Sequence, residues 1–210
     1  MFIGHFGVGN LLVGLFPDVP PLAIYAGVSF PDLLWGVLAT VGIEKVRSDP
    51  RSALQSKVAF ESYPYSHSLV LTNLIACVPA AAITWATHSL LAGGLFVLAS
   101  ASHWLLDVVV HRRDLPLLGF GRDIKVGFGL WTWPKPTFFL EYLVYAVPTA
   151  LFFHGGRLLA LLVVGALFHL ANANSLFSFT QRNPTRSPAL FAIMAFVGFA
   201  AMGWVLAGLV

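Results

Sequence analysis

Cysteine is almost missing from this sequence, in which Cys77 stands alone. One cysteine cannot close an internal disulfide, and its scarcity excludes the cysteine-rich metal sites of many small domains. A metal site in this chain would therefore use imidazole and carboxylate ligands. Seven histidines are present for such a site.

Charge is also scarce, since only 10% of the residues are charged whereas 58% are hydrophobic. Soluble domains carry about 25% charged residues. We therefore expect an all-α integral membrane protein in which residues 1–210 form a single helical bundle. The net charge of +3 does not indicate a nucleic-acid partner, because the basic residues lie in loops between apolar segments.

The N-terminal segment lacks the basic residues of a secretory signal peptide, so we expect it to be retained. Other segments are also long and apolar enough to cross about 30 Å of hydrocarbon. Together they predict seven transmembrane helices, at roughly 2–16, 21–42, 67–87, 91–111, 137–154, 157–178 and 188–210. Pro31 should kink the second helix, because proline removes a helical hydrogen bond.

The distribution of Lys and Arg predicts the orientation of the bundle. With seven alternating spans, one side receives eleven of the twelve basic residues and the other receives only Arg157. Basic loops are retained on the cytoplasmic side of a membrane. The N-terminus and the two long loops, 43–66 and 112–136, are therefore predicted to be cytoplasmic.

The segment from Ser102 to His111 carries the clearest functional signal. It places His103, Asp107 and His111 four residues apart in an apolar run, and such residues share one stripe of a helix. Ionisable groups at membrane depth cost several kcal/mol unless they are paired or bind metal. His103 and His111 would lie about 12 Å apart along the axis, so Asp107 would bridge two ions or one histidine would only support the site.

Four further ionisable residues fall in the same cytoplasmic half of the predicted bundle: His5, Asp32, His67 and Glu141. Histidine and carboxylate ligands suit Zn²⁺, Mn²⁺ or Fe²⁺, of which we expect zinc, with one or two ions bound. Each residue also has a structural interpretation. Asp32 could be an interhelical hydrogen-bond partner, and His111 could be part of a charged interfacial cap.

Two of the interpretations concern helix starts. His67 could simply open the third helix, with Ser66 as its N-cap. Glu141 follows Pro136, and its position favours helix-start electrostatics or an ion pair with a loop arginine. We also consider Glu141 a candidate substrate-binding residue.

The order of these motifs resembles the YdjM-like family of bacterial inner-membrane proteins, which are described as membrane-bound metal-dependent hydrolases. The motifs are His5, Pro31-Asp32, His67-Ser68 and the Ser102–His111 segment, and they cover residues 1–141. The order is also similar to that of zinc-dependent phospholipase C, in which histidines and aspartates hold a zinc cluster that cleaves phosphodiesters. The resemblance implies a location in the bacterial inner membrane and six metal ligands: His5, Asp32, His67, His103, Asp107 and His111.

The leading hypothesis is a metal-dependent hydrolase that works at the cytoplasmic leaflet on a phospholipid or another amphipathic substrate. Asp107 and His67 would act in catalysis, with His67 as general acid or base. Arg112 and Arg113 would hold an anionic head group. The alternatives are a non-catalytic metal-binding protein or transporter, and a bundle whose polar residues only join helices.

Overall fold

The computed structural model describes residues 1–180, 182–185 and 187–210. Gln181 and Arg186 lie outside the described residues, and Arg186 is one of the basic residues that the predicted orientation counts. The all-α class is confirmed. The described helices are α1 (Ile3–Leu15), α2 (Pro21–Thr40), α3 (Leu69–Thr87), α4 (Leu90–Val110), α5 (Pro134–Phe152), α6 (Gly155–Ala171), α7 (Asn174–Phe177) and α8 (Pro188–Leu209).

Within the described residues, four helices are long and apolar enough to cross a membrane: α2, α3, α4 and α8. Helices α1 and α6 are apolar but shorter, with 13 and 17 residues. Helix α5 has 19 residues, but Lys135, Glu141 and three prolines make it less apolar. A membrane protein is thus supported, whereas the count of seven spans stays a prediction.

Helix α2 lies at the centre of the fold, where it packs against α4 and α8. Gly27 allows this approach to α4, because a Cβ there would overlap the backbone of Phe96. Helix α2 continues through Pro31, which lies near the middle of its length. Asp32, the next residue, is thereby held beside α4.

Helix α1 packs against α5 and α2. Its closest approach to α5 is at Gly7, where an added Cβ would overlap the backbone carbonyl of Val144. Small residues let two helix backbones come together in this way. Because His5 lies half a turn before Gly7, this contact fixes the position of His5 in the interior.

The two long loops contain short antiparallel strand pairs that the sequence did not predict. In the first loop β1 (Lys45–Arg47) pairs with β2 (Ala59–Ser62), and in the second β3 (Leu115–Pro116) pairs with β4 (Lys125–Val126). The predicted segment 157–178 also extends past the end of α6 at Ala171, after which a turn leads into α7. The predicted helix over 157–178 is therefore two helices.

Asp123 organises the second loop next to the start of α3. Its carboxylate accepts the backbone N–H groups of Leu117, Leu118 and Gly119 at 3.2, 2.8 and 2.6 Å. The carbonyls of Leu117 and Leu118 in turn accept N–H groups from the first turn of α3, which have no partner within the helix. The loop thereby anchors the chain immediately after His67.

Candidate metal centre

Two overlapping groups of side chains could hold a metal ion. One consists of His5, His103 and Asp107, and the other of Asp32, His67 and His103. In each group the ligand atoms lie within 4.8 Å of one another. Residues from α1, α2 and α4 and from the loop before α3 thus meet in the interior of the bundle.

His103 belongs to both groups, and its hydrogen bonding identifies the atom that it offers. Its Nδ1 lies 2.7 Å from the carbonyl oxygen of Val28. Because a carbonyl can only accept, Nδ1 carries the proton, and in the neutral ring Nε2 has a free lone pair. The Nε2 atom lies 3.3 Å from Oδ2 of Asp32 and 3.3 Å from Oδ2 of Asp107.

A lone pair that faces two carboxylates is repelled by both of them. Only a proton on Nε2 or a cation among these atoms removes the repulsion. His5 stacks on His103 with ring centroids 3.5 Å apart and planes 6° apart, which brings a second imidazole to the carboxylate of Asp107. A metal ion among these atoms could therefore be shared by both histidines and Asp107.

The ring nitrogens of His5 also lack hydrogen-bond partners. Its side chain is fully buried, and neither ring nitrogen makes a hydrogen bond to any described residue. Its Nε2 lies 3.1 Å from Oδ1 of Asp107 but does not point along a hydrogen bond. Such buried, unpaired polar atoms are rare in folded proteins, and a metal ion bound beside Asp107 could satisfy one of the two, Nε2.

His67 is oriented by a hydrogen-bonded chain that its sequence context does not reveal. Its Nδ1 lies 2.8 Å from the Ser66 hydroxyl, which donates to Oε2 of Glu44 at 2.5 Å. The other oxygen of Glu44 accepts the backbone N–H groups of Tyr65 and Ser66. Nε2 of His67 then faces the carboxylates of Asp32 at 3.6 Å and Asp107 at 3.7 Å.

The role expected of Ser66 was therefore wrong. The N-cap of α3 is Ser68, whose hydroxyl accepts the N–H of Thr72 at 3.2 Å, while Ser66 serves His67. Glu44 is almost fully buried, at 1% exposure. Burial raises the pKa of Glu44, and the hydrogen bonds from Ser66 offset only part of that rise.

His111 reaches the cluster because it lies outside the helix. Helix α4 ends at Val110, and His111 has extended backbone angles that bring its Nε2 to 3.7 Å from Oδ2 of Asp107. Its Nδ1 lies 3.2 Å from the carboxylate of Asp114, which also accepts the hydroxyl of Tyr63 at 3.1 Å. The predicted single stripe of three helical residues is thus replaced by two helical residues and one that turns back.

The three predicted substrate-binding residues occupy different environments. Glu141 is buried in the middle of α5, seven residues after the helix start, and accepts the backbone N–H of Phe2 at 2.9 Å. The helix-start role suggested for it does not fit this position. Arg112 and Arg113 are exposed and are not among the described residues that line the cavity at the cluster.

This cavity has a volume of about 530 Å³ and leads from the cluster towards α6 and α8. At one end it is bordered by ionisable side chains of the cluster and by Glu141. Elsewhere its walls are largely apolar. The residues that border the ionisable end are Asp32, His67, Asp107, His111 and Glu141.

The amino group of Met1 also reaches the cluster, where it donates a hydrogen bond to Oδ1 of Asp107. Asp107 therefore faces this cation and four imidazole rings. No sequence signal pointed to the contact, because it depends on how α1 packs in the bundle. The sequence does not reveal the role of Glu44 either, because a glutamate beside a basic loop is expected to lie at the surface.

Comparisons of the chain with protein-family models, curated proteins and solved structures find no match. The fold and the site together define a class: an apolar helical bundle with buried His and Asp groups that could hold a metal ion. The resemblance to the YdjM-like family stays a prediction from the motifs.

Proposed function

We propose that this chain is a membrane-embedded, metal-dependent hydrolase that acts on ester or phosphodiester bonds of a lipid-like substrate. The observation that carries the proposal is the Nε2 atom of His103, which lies between the carboxylates of Asp32 and Asp107 while its Nδ1 is committed to Val28. A divalent ion satisfies that arrangement, and zinc suits its ligand types best. The ligands would be His5, Asp32, His67, His103 and Asp107, with His111 as a further candidate.

When bound, a divalent ion of this kind lowers the pKa of water towards 7 and polarises a phosphoryl or carbonyl oxygen. The protein contributes orientation and proton handling. His67 holds its Nδ1 proton towards Ser66, so Nε2 is free to bind the ion or to accept a proton from a reacting group. Burial of the cluster limits the access of bulk water, which strengthens every electrostatic interaction in it.

The location that fits this function is the bacterial inner membrane, with the site in the cytoplasmic half. Support comes from the excess of basic residues in the loops 43–66 and 112–136. Strands from both loops lie at the end of the bundle where His67 and His111 enter the cluster. A substrate head group would therefore approach from the cytoplasmic leaflet.

The first test is the metal content of protein purified in mild detergent without chelator, measured by elemental mass spectrometry. We expect one or two equivalents of zinc, manganese or iron per chain in the wild type. The double variant His103→Ala, Asp107→Ala should lose the metal, while the exposed Asp18→Ala should retain it. Circular dichroism would verify that all three proteins keep their helix content.

The second stage measures hydrolysis of phosphodiester and carboxylic ester substrates by the metal-loaded proteins. We expect activity in the wild type and in Asp18→Ala and none above background in Asp107→Ala. Metal binding without hydrolysis would favour the non-catalytic alternative. Absence of metal even after reconstitution would leave the polar residues as helix-joining groups and would overturn the proposal.

A further inference from the structure

The cavity next to the cluster has a second, apolar part that the proposed hydrolysis does not itself require. Its walls there come from α6 and α8 and are formed by aliphatic and aromatic side chains. The main apolar lining residues are Phe168, Phe191, Met194, Val197 and Phe199. The cavity thus joins an ionisable end to a hydrocarbon-like end within about 530 Å³, a volume typical of ligand pockets.

The apolar part reaches the outer surface of α8. Ile193, Met194 and Val197 line the cavity and are also 45%, 53% and 57% exposed. Helix α8 contains no charged residue and is one of the helices able to cross a membrane. In a bilayer, the exposed face of such a helix contacts lipid chains rather than water, so this wall of the cavity lies beside hydrocarbon.

The polar groups at the other lining positions are mostly uncharged. Gln55, Asn172 and Asn183 supply amide groups, and none of the described lining residues is Lys or Arg. The cation among the described lining residues is the amino group of Met1, which already donates to Asp107. An amphipathic molecule with an uncharged polar group next to its reactive bond matches both ends of the cavity.

We infer that the part of the cavity between α6 and α8 binds the hydrocarbon chain of a membrane lipid, which enters sideways past α8 while its polar end meets the cluster. The assignment of this lipid as the substrate rests on the proposed function, whereas the binding of its hydrocarbon chain in the cavity does not. It assigns the substrate class: a lipid with a chain that can leave the bilayer plane and lie in the cavity. Burial of each methylene contributes to the affinity.

Two glycines of α8 provide a matched test. Gly198 lines the cavity, and a Cβ added there would meet only the ring of Phe2 at 3.8 Å, so Gly198→Leu fills the cavity without a clash at Cβ. Gly208 has no neighbour within 4 Å and does not line the cavity, so Gly208→Leu is the control. Ala171→Leu on α6 fills the same cavity from another helix.

The experiment adds monooleoylglycerol to each protein in mild detergent and counts retained lipid by native mass spectrometry. This uncharged probe needs no metal, and metal content is measured on the same samples. We expect one retained lipid in the wild type and in Gly208→Leu, and at least a roughly tenfold weaker affinity, about 1.4 kcal/mol, in Gly198→Leu and Ala171→Leu. Melting temperatures verify that the variants are folded.

Equal retention by Gly198→Leu, Ala171→Leu and wild type would overturn the inference, because the lipid would then bind elsewhere on the surface. Loss of retention in Gly208→Leu as well would also overturn it. Lipid retention by a protein that takes up no metal would support the chain site and contradict the hydrolase. Metal uptake without specific lipid retention would contradict the chain site and leave the metal centre to be tested by the hydrolysis assay.

Discussion

Glu44 and His67 are joined through one hydroxyl group, that of Ser66, which lies 2.5 Å from the carboxylate and 2.8 Å from the imidazole. Glu44 comes from the turn after α2, whereas His67 precedes α3. The link therefore couples a loop to the cluster. It also fixes which nitrogen of His67 faces Asp32 and Asp107.

We predict that breaking this link weakens metal binding without unfolding the protein. Loss of an outer hydrogen-bond partner typically lowers metal affinity about 10- to 100-fold. Ser66→Ala should fall in that range. Glu44→Gln should also weaken binding, because its single oxygen can accept from the Ser66 hydroxyl or from the Tyr65 and Ser66 amides, but not from both. Competition with a chelator of known affinity measures the dissociation constants.

The control for this prediction is Glu61→Gln, which affects a surface ion pair with Arg47 in the neighbouring strands. It should leave the affinity unchanged. If Ser66→Ala binds metal as tightly as the wild type, the link has no role in positioning His67. A shift of the metal-free melting temperature alone would indicate a purely structural contact.

A second prediction concerns acid and the loop held by Asp123. Burial raises the pKa of Asp123, but hydrogen bonds from the Leu118, Gly119 and Leu117 amides outweigh that effect, so the pKa lies below its ordinary value. A lowered pKa stabilises the folded loop above the ordinary value, about pH 4. That contribution is lost as the pH falls through the lowered pKa.

Asp123→Asn should therefore loosen the loop already at neutral pH and should respond less than the wild type to acid. Hydrogen exchange at the amides of Val70 and Leu71, which donate to the loop, reports this directly. Exchange should be faster in Asp123→Asn than in the exposed control Asp18→Asn. Identical exchange in the two variants, across the acidic range, would contradict the role assigned to Asp123.

A third prediction tests the contact between α1 and α5. Gly7→Ala would place a methyl group against the backbone of Val144, so the helices must separate. Overpacking of this kind costs about 1–3 kcal/mol, and the melting temperature in detergent should fall. Gly94→Ala in α4 has open space around it and should instead stabilise the protein by about 0.5–1 kcal/mol; similar effects of both substitutions would disprove the close contact.

A fourth prediction concerns orientation. In a Cys77→Ser background, Ser62→Cys lies in the long loop predicted to be cytoplasmic, and His154→Cys lies between α5 and α6 on the other side. A maleimide that cannot cross membranes should label His154→Cys in intact spheroplasts and Ser62→Cys only after permeabilisation. The reverse pattern would invert the proposed topology, and labelling of both in intact cells would contradict the number of spans.

Much of the fold follows from the lengths of the apolar segments. The helices α2, α3, α4 and α8 lie within three residues of the predicted segments, because long apolar runs leave few other structures possible in a membrane. The break after Ala171 falls at the polar residues Asn172, Asn174 and Ser175, which the predicted helix crossed to include Leu176 and Phe177. The strand pairs were missed because two- to four-residue strands leave no periodic pattern.

The candidate site likewise contains residues that the sequence predicts and residues that it does not. The proximity of His103 and Asp107 follows from helical spacing, and the structure also brings His5, Asp32 and His67 to them. The contributions of Glu44 and the Met1 amino group depend on tertiary contacts, which spacing cannot reveal. Helical spacing also predicts that His111 lies on this stripe, but α4 ends at Val110 and His111 approaches Asp107 from outside the helix.

The sharing of His103 limits how the centre can be filled. Its Nδ1 is committed to Val28, so a single nitrogen remains for both groups of ligands. An ion bound by His5, His103 and Asp107 leaves Asp32 and His67 without their third partner, and the converse also holds. We therefore expect the two positions to be anticooperative: a first ion would lower the affinity for a second, and the separation of the two binding steps in a titration would measure the coupling free energy between them.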